Sequence, residues 1–184
     1  MHIGPFYIVA PGIKQHGFIP AAQANDKAWN EAEIVGSAVW LWMHSRRHRD
    51  ISIKELPMML LPFIKHQQFM LVSENNKPIF YLSWANFSAE AESSYVKNLA
   101  CADPVEDWNS GDRVWVIDWI APFGHTKEMM DLVKRYLLSN CCVRSLYHRG
   151  NERGLRIKTF HGVGVMKQEA QHWFATHPVM LNQS

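Results

Sequence analysis

Cysteine is scarce in this chain and poorly placed for pairing. The 184 residues hold three, Cys101, Cys141 and Cys142, an odd number without CxxC spacing. Neither a disulfide framework nor a zinc site is expected from that set. Excess charge of one sign is also missing. A net charge of +2 gives little ground for a nucleic-acid binder, and any basic partner surface must be local. No stretch approaches the roughly 20 apolar residues of a membrane span. The opening Met-His-Ile-Gly-Pro-Phe-Tyr-Ile-Val-Ala-Pro-Gly lacks the basic n-region and long apolar run of a secretory signal. A cytoplasmic protein is the expectation. Repeats, low-complexity tracts and domain linkers are absent as well, and the length suits one domain with a real core.

Large apolar side chains are plentiful. Eight Trp and nine Met imply a core or a binding groove rich in bulky, adaptable groups. Residues 1–30 carry Pro5, Pro11, Gly12, Gly17 and Pro20 and read as an N-terminal extension or a short edge element. Residues 31–184 then form the main domain. Ile34, Ala38, Leu41 and Trp42 recur at helical spacing, which predicts a helix from about Trp29 to His44, capped by Asn25 or Asp26. A second helix is predicted over Glu55 to Lys65, with Pro57 tolerable only in its first turn. Gln68–Ser73 and Ile79–Trp84 read as a hairpin around Glu74-Asn75-Asn76-Lys77-Pro78. Ser88 caps a helix to Leu99, and a polar loop, Asp103 to Gly111, follows. Thr126–Ser139 is amphipathic, Cys142–His148 and Leu155–Phe160 are strand candidates, and Met166–Thr176 is a last helix. Helices around a mostly antiparallel sheet make an α+β domain.

The strand Val114–Ile120 contains an anomaly. Strict alternation puts Val114, Val116, Asp118 and Ile120 on one face and Trp115, Ile117 and Trp119 on the other. An ionised, unpaired carboxylate among such neighbours costs several kcal/mol. Asp118 therefore needs a partner, either loop amides at the strand end or a histidine that it holds and tunes. His48, just beyond the first helix, is one candidate. It either joins Arg46, Arg47 and Arg49 in complementing the helix dipole or serves as a base. His44 and His48 lie four apart, as in helical zinc pairs, but Ser45 stands where such a motif has Glu and no third ligand is marked. Gly162-Val163-Gly164 before a helix is either a phosphate-binding turn or a plain one. With Thr159 at its head it is a degenerate version of the coenzyme A loop. The Met and aromatic stripes fit a core, or an acyl-chain groove.

Longer motifs tie these pieces together. Gly36 precedes Val39-Trp40-Leu41-Trp42, followed by Ser45-x-x-His48-Arg49 and Tyr81-x-Ser83-Trp84-Ala85-Asn86-x-Ser88. Next come Glu106-Asp107-Trp108-x-Ser110-Gly111-Asp112-Arg113, Ile117-Asp118-Trp119-Ile120-Ala121-Pro122-Phe123-Gly124 and Phe160-His161-Gly162. In order and spacing, over roughly residues 35 to 162, the chain resembles the RTX toxin-activating lysine acyltransferases, the hemolysin-activating enzymes of Gram-negative bacteria.

The resemblance implies a GNAT-like fold and transfer of a fatty acyl group from acyl carrier protein to internal lysines of an RTX protoxin. No tightly bound cofactor is implied, and a homodimer is an expectation of the resemblance alone. His48 falls on the family's catalytic histidine and Asp118 on its catalytic aspartate. Ser45, Arg46, Arg47, Arg49 and Arg113 are candidate substrate contacts. Direct transfer and a covalent acyl-enzyme both fit these residues. Two departures stand out: Met59 replaces an Asn of many relatives, and Arg46-Arg47 replaces Pro and an apolar residue. The first bears on a polar contact of the site, the second on carrier docking. A non-catalytic escort that binds the toxin is the alternative from another class. A coenzyme A-dependent acetyltransferase would need a better phosphate loop.

Overall fold

The computed structural model describes residues 1–11, 29–98, 108–146 and 156–179. Among them, seven strands lie side by side in chain order: β1 (His2–Ile3), β2 (Phe6–Val9), β3 (Phe69–Glu74), β4 (Lys77–Phe87), β5 (Arg113–Ile120), β6 (Cys142–Leu146) and β7 (Ile157–His161). Each neighbouring pair is antiparallel except β5 and β6. A parallel step needs a crossover connection. Helix α5 (Thr126–Leu132) and the π-helical turn Val133–Leu137 supply it. The result is an α+β domain of GNAT-like architecture. No helix of the described residues is long and apolar enough to cross a membrane.

Residues 2–9 pair into the sheet as its first two strands. They are the edge of the sheet, with Val9 opposite Leu71 and Ile8 opposite Val72, and Ile8 is buried. Residues 12–28, with the predicted caps Asn25 and Asp26, lie outside the described residues. The first helix, α1 (Glu31–Met43), is capped instead by Asn30, whose Oδ1 accepts from the amides of Ala32 at 2.8 Å and Glu33 at 3.3 Å. Glu31 and Glu33 in its first turn suit the positive end of the helix dipole. Its buried stripe, Ile34, Ala38, Leu41 and Trp42, packs on Phe69, Leu71, Tyr81 and Ile120. Burial of one such side chain, Leu41 for instance, stabilises by about 1.5–3 kcal/mol.

The predicted helix over residues 55–65 is divided. A 3-10 turn, Ile53–Glu55, leads into α2 (Leu56–Met59) and α3 (Leu61–Lys65), which break at Leu60. Pro57 and Pro62 each sit in the first turn of their own short helix, where a missing N–H costs nothing. The β3–β4 hairpin turns on Asn75 and Asn76, at φ 49° and 61°. That is the left-handed pair a two-residue hairpin turn requires, and Asn tolerates it. Ser88 Oγ accepts the Ala91 amide at 3.2 Å and caps α4 (Ala89–Asn98) as predicted. Residues 99–107 and 147–155, which cover most of the polar loop and the predicted ends of two strands, lie outside the described residues.

Two cores flank the sheet. On one side Phe80, Leu82, Trp84, Val114 and Val116 pack with Met129 and Leu132 of α5 and with Val133 and Leu137 of the π-helical turn. On the other, Tyr81, Ala85, Phe87 and Trp115 face α1, α3 and α4. The last helix, α6 (Lys167–Thr176), lies against β6. A bulge interrupts β5 between these faces. Ser83 pairs with Asp118 and Trp84 with Val116, leaving Ile117 without a partner. Strict alternation would have kept Asp118 with Val114 and Val116 on the α5 side. The extra residue moves Asp118 and Ile120 to the α1 side.

Candidate active site

The site begins where α1 stops. The chain turns tightly after Met43: the Ser45 amide donates to the Trp42 carbonyl at 2.9 Å, and the His48 and Arg49 amides both donate to the Ser45 carbonyl at 3.0 Å. This turn brings Ser45 Oγ within 2.8 Å of His48 Nδ1. The imidazole packs against the Trp42 indole, with ring centroids 5.1 Å apart. His48 is thus no exposed helix-end cation. It is 4% exposed, packed against Trp42 just beyond the end of α1.

From the sheet, Asp118 completes the contact. Its Oδ1 is 3.0 Å from His48 Nε2, and its Oδ2 accepts from Ser83 Oγ at 3.1 Å. Among the described residues, no loop amide bonds to it. A carboxylate only 5% exposed is therefore met on both oxygens, which offsets much of the desolvation cost. Tyr81, one residue pair further along β4, is fully buried and its hydroxyl has no hydrogen-bond partner among the described residues. Burial, with the Asp118 charge second, pushes its phenol well above the usual range, so it is a neutral neighbour.

The remaining predicted residues divide into two groups. Arg46, Arg47 and Arg49 are exposed around the turn that holds Ser45 and His48. Arg49 Nε lies 3.6 Å from Asp50 Oδ2, an exposed pair of little energetic weight. The Tyr95 phenol is raised by burial first and by the Asp118 charge second, while the Arg47 charge lowers it. Arg113 is not brought to this group. It stands at the other end of β5 and donates to Glu92 and to the Pro178 carbonyl. Met59 ends α2 and is exposed.

The glycine turn is a plain one. The amides of Gly162, Val163, Gly164 and Val165 donate to the carbonyls of Cys141, Lys134, Ser139 and Gly162, so none of the four is free for a phosphate. A Cβ on Gly162 would stand 2.1 Å from the Leu138 carbonyl oxygen, so close backbone packing explains the residue. His44 is also occupied: its Nδ1 donates to the Trp40 carbonyl at 2.8 Å, and its ring rests against Phe123. No group of three metal-ligating side chains occurs among the described residues.

Ser83 and Trp42 also line this group, and both lie in the motifs quoted above. The signal for Ser83 was of the same kind as that for Asp118, a polar residue inside the apolar run Ile79–Ala85. Pairing across the bulge is what connects the two.

Residues 27–161 match the RTX toxin acyltransferase family. A leukotoxin-activating lysine-acyltransferase, LktC, of Pasteurella haemolytica-like sp. (strain 5943B) is 38% identical over 148 residues, covering 80% of this chain and 88% of the relative. The leukotoxin-activating lysine-acyltransferase LtxC of Aggregatibacter actinomycetemcomitans is 37% identical over 155 residues, 84% of this chain and 91% of its own. The protein-lysine myristoyltransferase HlyC of Escherichia coli is 45% identical over 92 residues, 50% of this chain and 52% of its own.

Proposed function

The chain belongs to the RTX toxin acyltransferase family, and from that premise we propose that it carries a fatty acyl group from the thioester of an acyl carrier protein to internal lysines of an RTX protoxin, so activating the toxin. His48 is the general base and Asp118 its positioning partner. The observation that carries the assignment is the buried His48–Asp118 contact at 3.0 Å, reached across a bulge that turns the carboxylate toward α1.

A lysine amine has a reference pKa near 10.4, so at pH 7 only about one in 2,500 is neutral, a deficit of about 4.6 kcal/mol. An imidazole is suited to receive the proton that the attacking amine must lose. The Asp118 carboxylate stabilises the imidazolium as it forms and fixes the ring's orientation. Attack on the thioester carbon forms the amide and expels the carrier's thiol. The donor assignment rests on the family and on two features of the chain. The Gly162–Val165 amides are all engaged, and three exposed arginines lie on the turn that carries Ser45 and His48.

The test is mass spectrometry of the cognate protoxin expressed with and without this protein. Acylated lysines appearing only in its presence are expected, and lost with His48→Ala. An unmodified but bound toxin would replace the enzyme reading with the escort reading. Efficient transfer from acyl coenzyme A without carrier would overturn the donor.

A further inference from the structure

We propose that Ser45 is a catalytic proton relay, the group that meets the substrate amine on behalf of a histidine that cannot reach it. The inference rests on the function proposed above and adds a residue to its chemistry.

The polarity of the row follows from its ends. Asp118 is a carboxylate and only accepts hydrogen bonds. The hydrogen between it and His48 therefore sits on Nε2, 3.0 Å from Oδ1. In the neutral imidazole the other nitrogen, Nδ1, must then carry the lone pair. That lone pair is not open to substrate, because Ser45 Oγ lies 2.8 Å away and is its donor. Ser83 fixes the far end by donating to Asp118 Oδ2 at 3.1 Å. The chain of hydrogen bonds thus runs in one direction, from Ser45 through His48 to Asp118.

Exposure decides which atom faces the incoming lysine. His48 and Asp118 are 4% and 5% exposed, whereas Ser45 is half-buried. A base with both nitrogens engaged and almost no surface accepts a proton only through the hydroxyl in front of it. As the neutral amine attacks the thioester carbon and the C–N bond forms, the amine hydrogen passes to Ser45 Oγ while the Ser45 hydrogen passes to His48 Nδ1. On collapse the C–S bond breaks, and the imidazolium returns its proton through Ser45 to the leaving thiolate. Serine ends unchanged, with one amide and one thiol formed from one thioester and one amine.

The experiment compares wild type, Ser45→Ala, Ser45→Thr and His48→Ala with acyl carrier protein as donor and protoxin as acceptor. Single-turnover rates at saturation, KM and thermal melting are read for each. Ser45→Ala should lower the saturating rate about 10–100-fold with KM within about twofold, because a water bridge replaces the hydroxyl imperfectly. Ser45→Thr should recover most of the rate. In mixtures of light and heavy water, wild type should show two protons in flight at the rate-limiting step and Ser45→Ala fewer. The wild-type isotope measurement stands even if a variant folds poorly. An unchanged rate in Ser45→Ala, or an effect confined to KM, overturns the relay. So does a rapidly quenched enzyme bearing an acyl group on Ser45, which would make the hydroxyl a nucleophile. Retained activity in His48→Ala would instead overturn the underlying mechanism, so the two failures are distinguishable.

Discussion

The two oxygens of Asp118 have different partners, and that division makes the residue testable. Asp118→Asn keeps the shape and loses the charge that opposes the imidazolium. Turnover should fall by at least about tenfold, measured in single turnovers at saturating donor across pH 6 to 9. Unchanged kinetics would leave Asp118 a structural residue. His48 needs a different expectation from the one that its place after a helix invites. A solvent-exposed helix-end residue would be removable at little cost, but His48 is buried against Trp42. His48→Ala should therefore abolish acylation and also lower Tm, by roughly 2–4 °C per kcal/mol lost in a domain of this size. Full toxin modification by that variant would remove His48 from the chemistry. Cys141 behaves oppositely to an activated thiol. Burial pushes it up to about 11, so the neutral thiol prevails until the pH approaches that value. Alkylation of Cys141 at pH 8 should be roughly a hundredfold slower than that of an ordinary exposed cysteine, and peptide mass mapping over time would show it. Rapid labelling at pH 8 would contradict the burial argument.

Among the elements, the β5 bulge governs what the sequence could and could not reveal. Period-two reading located β5 and marked Asp118 as out of place, because side-chain chemistry alone makes a carboxylate in an apolar strand costly. It put Asp118 on the wrong face, because a single unpaired residue, Ile117, is a property of pairing with β4 and leaves no mark in local periodicity. The same limit applies to α1. Its stripe was legible from spacing, but its cap fell to Asn30, beyond the reach of any rule that does not fix where the helix starts. Arg113 shows how a motif residue can belong to architecture. Glu92, buried in α4, accepts from Arg113, from Trp115 Nε1 at 2.7 Å and from Arg144 at 2.7 Å, while Arg144 lies over the rings of Trp173 and Phe174. One carboxylate thus joins α4, β5, β6 and α6. Replacing it removes the carboxylate that two guanidinium groups of little exposure share, which costs about 3–5 kcal/mol. Glu92→Ala should lose stability on that scale in urea or thermal melts. A loss below about 1 kcal/mol would show that the cluster is not holding these elements together. Arg113→Ala should likewise reduce stability more than it changes KM for either substrate.

At the scale of the whole molecule, a net charge of only +2 makes the position of the positive charges more informative than their number. Arg46, Arg47 and Arg49 are exposed on the same tight turn that carries Ser45 and His48. On the proposed function, an acidic carrier drawn to that turn would arrive with its thioester near the Ser45–His48–Asp118 row. Steering of this kind acts mainly on association and is screened by salt beyond about 8 Å at physiological ionic strength. Wild-type activity at subsaturating carrier should therefore fall as salt rises, while the saturating single-turnover rate changes little. Arg49 is the poorest choice for a test, since it adjoins His48 in sequence and already lies near Asp50. Arg46→Glu combined with Arg47→Glu reverses two exposed charges without touching the buried row. That variant should raise the apparent KM for carrier several-fold at low salt and flatten the salt dependence, with the rate at saturation close to wild type. Wild-type affinity at both low and moderate salt would mean that these arginines are a solvated helix end and that the carrier docks elsewhere.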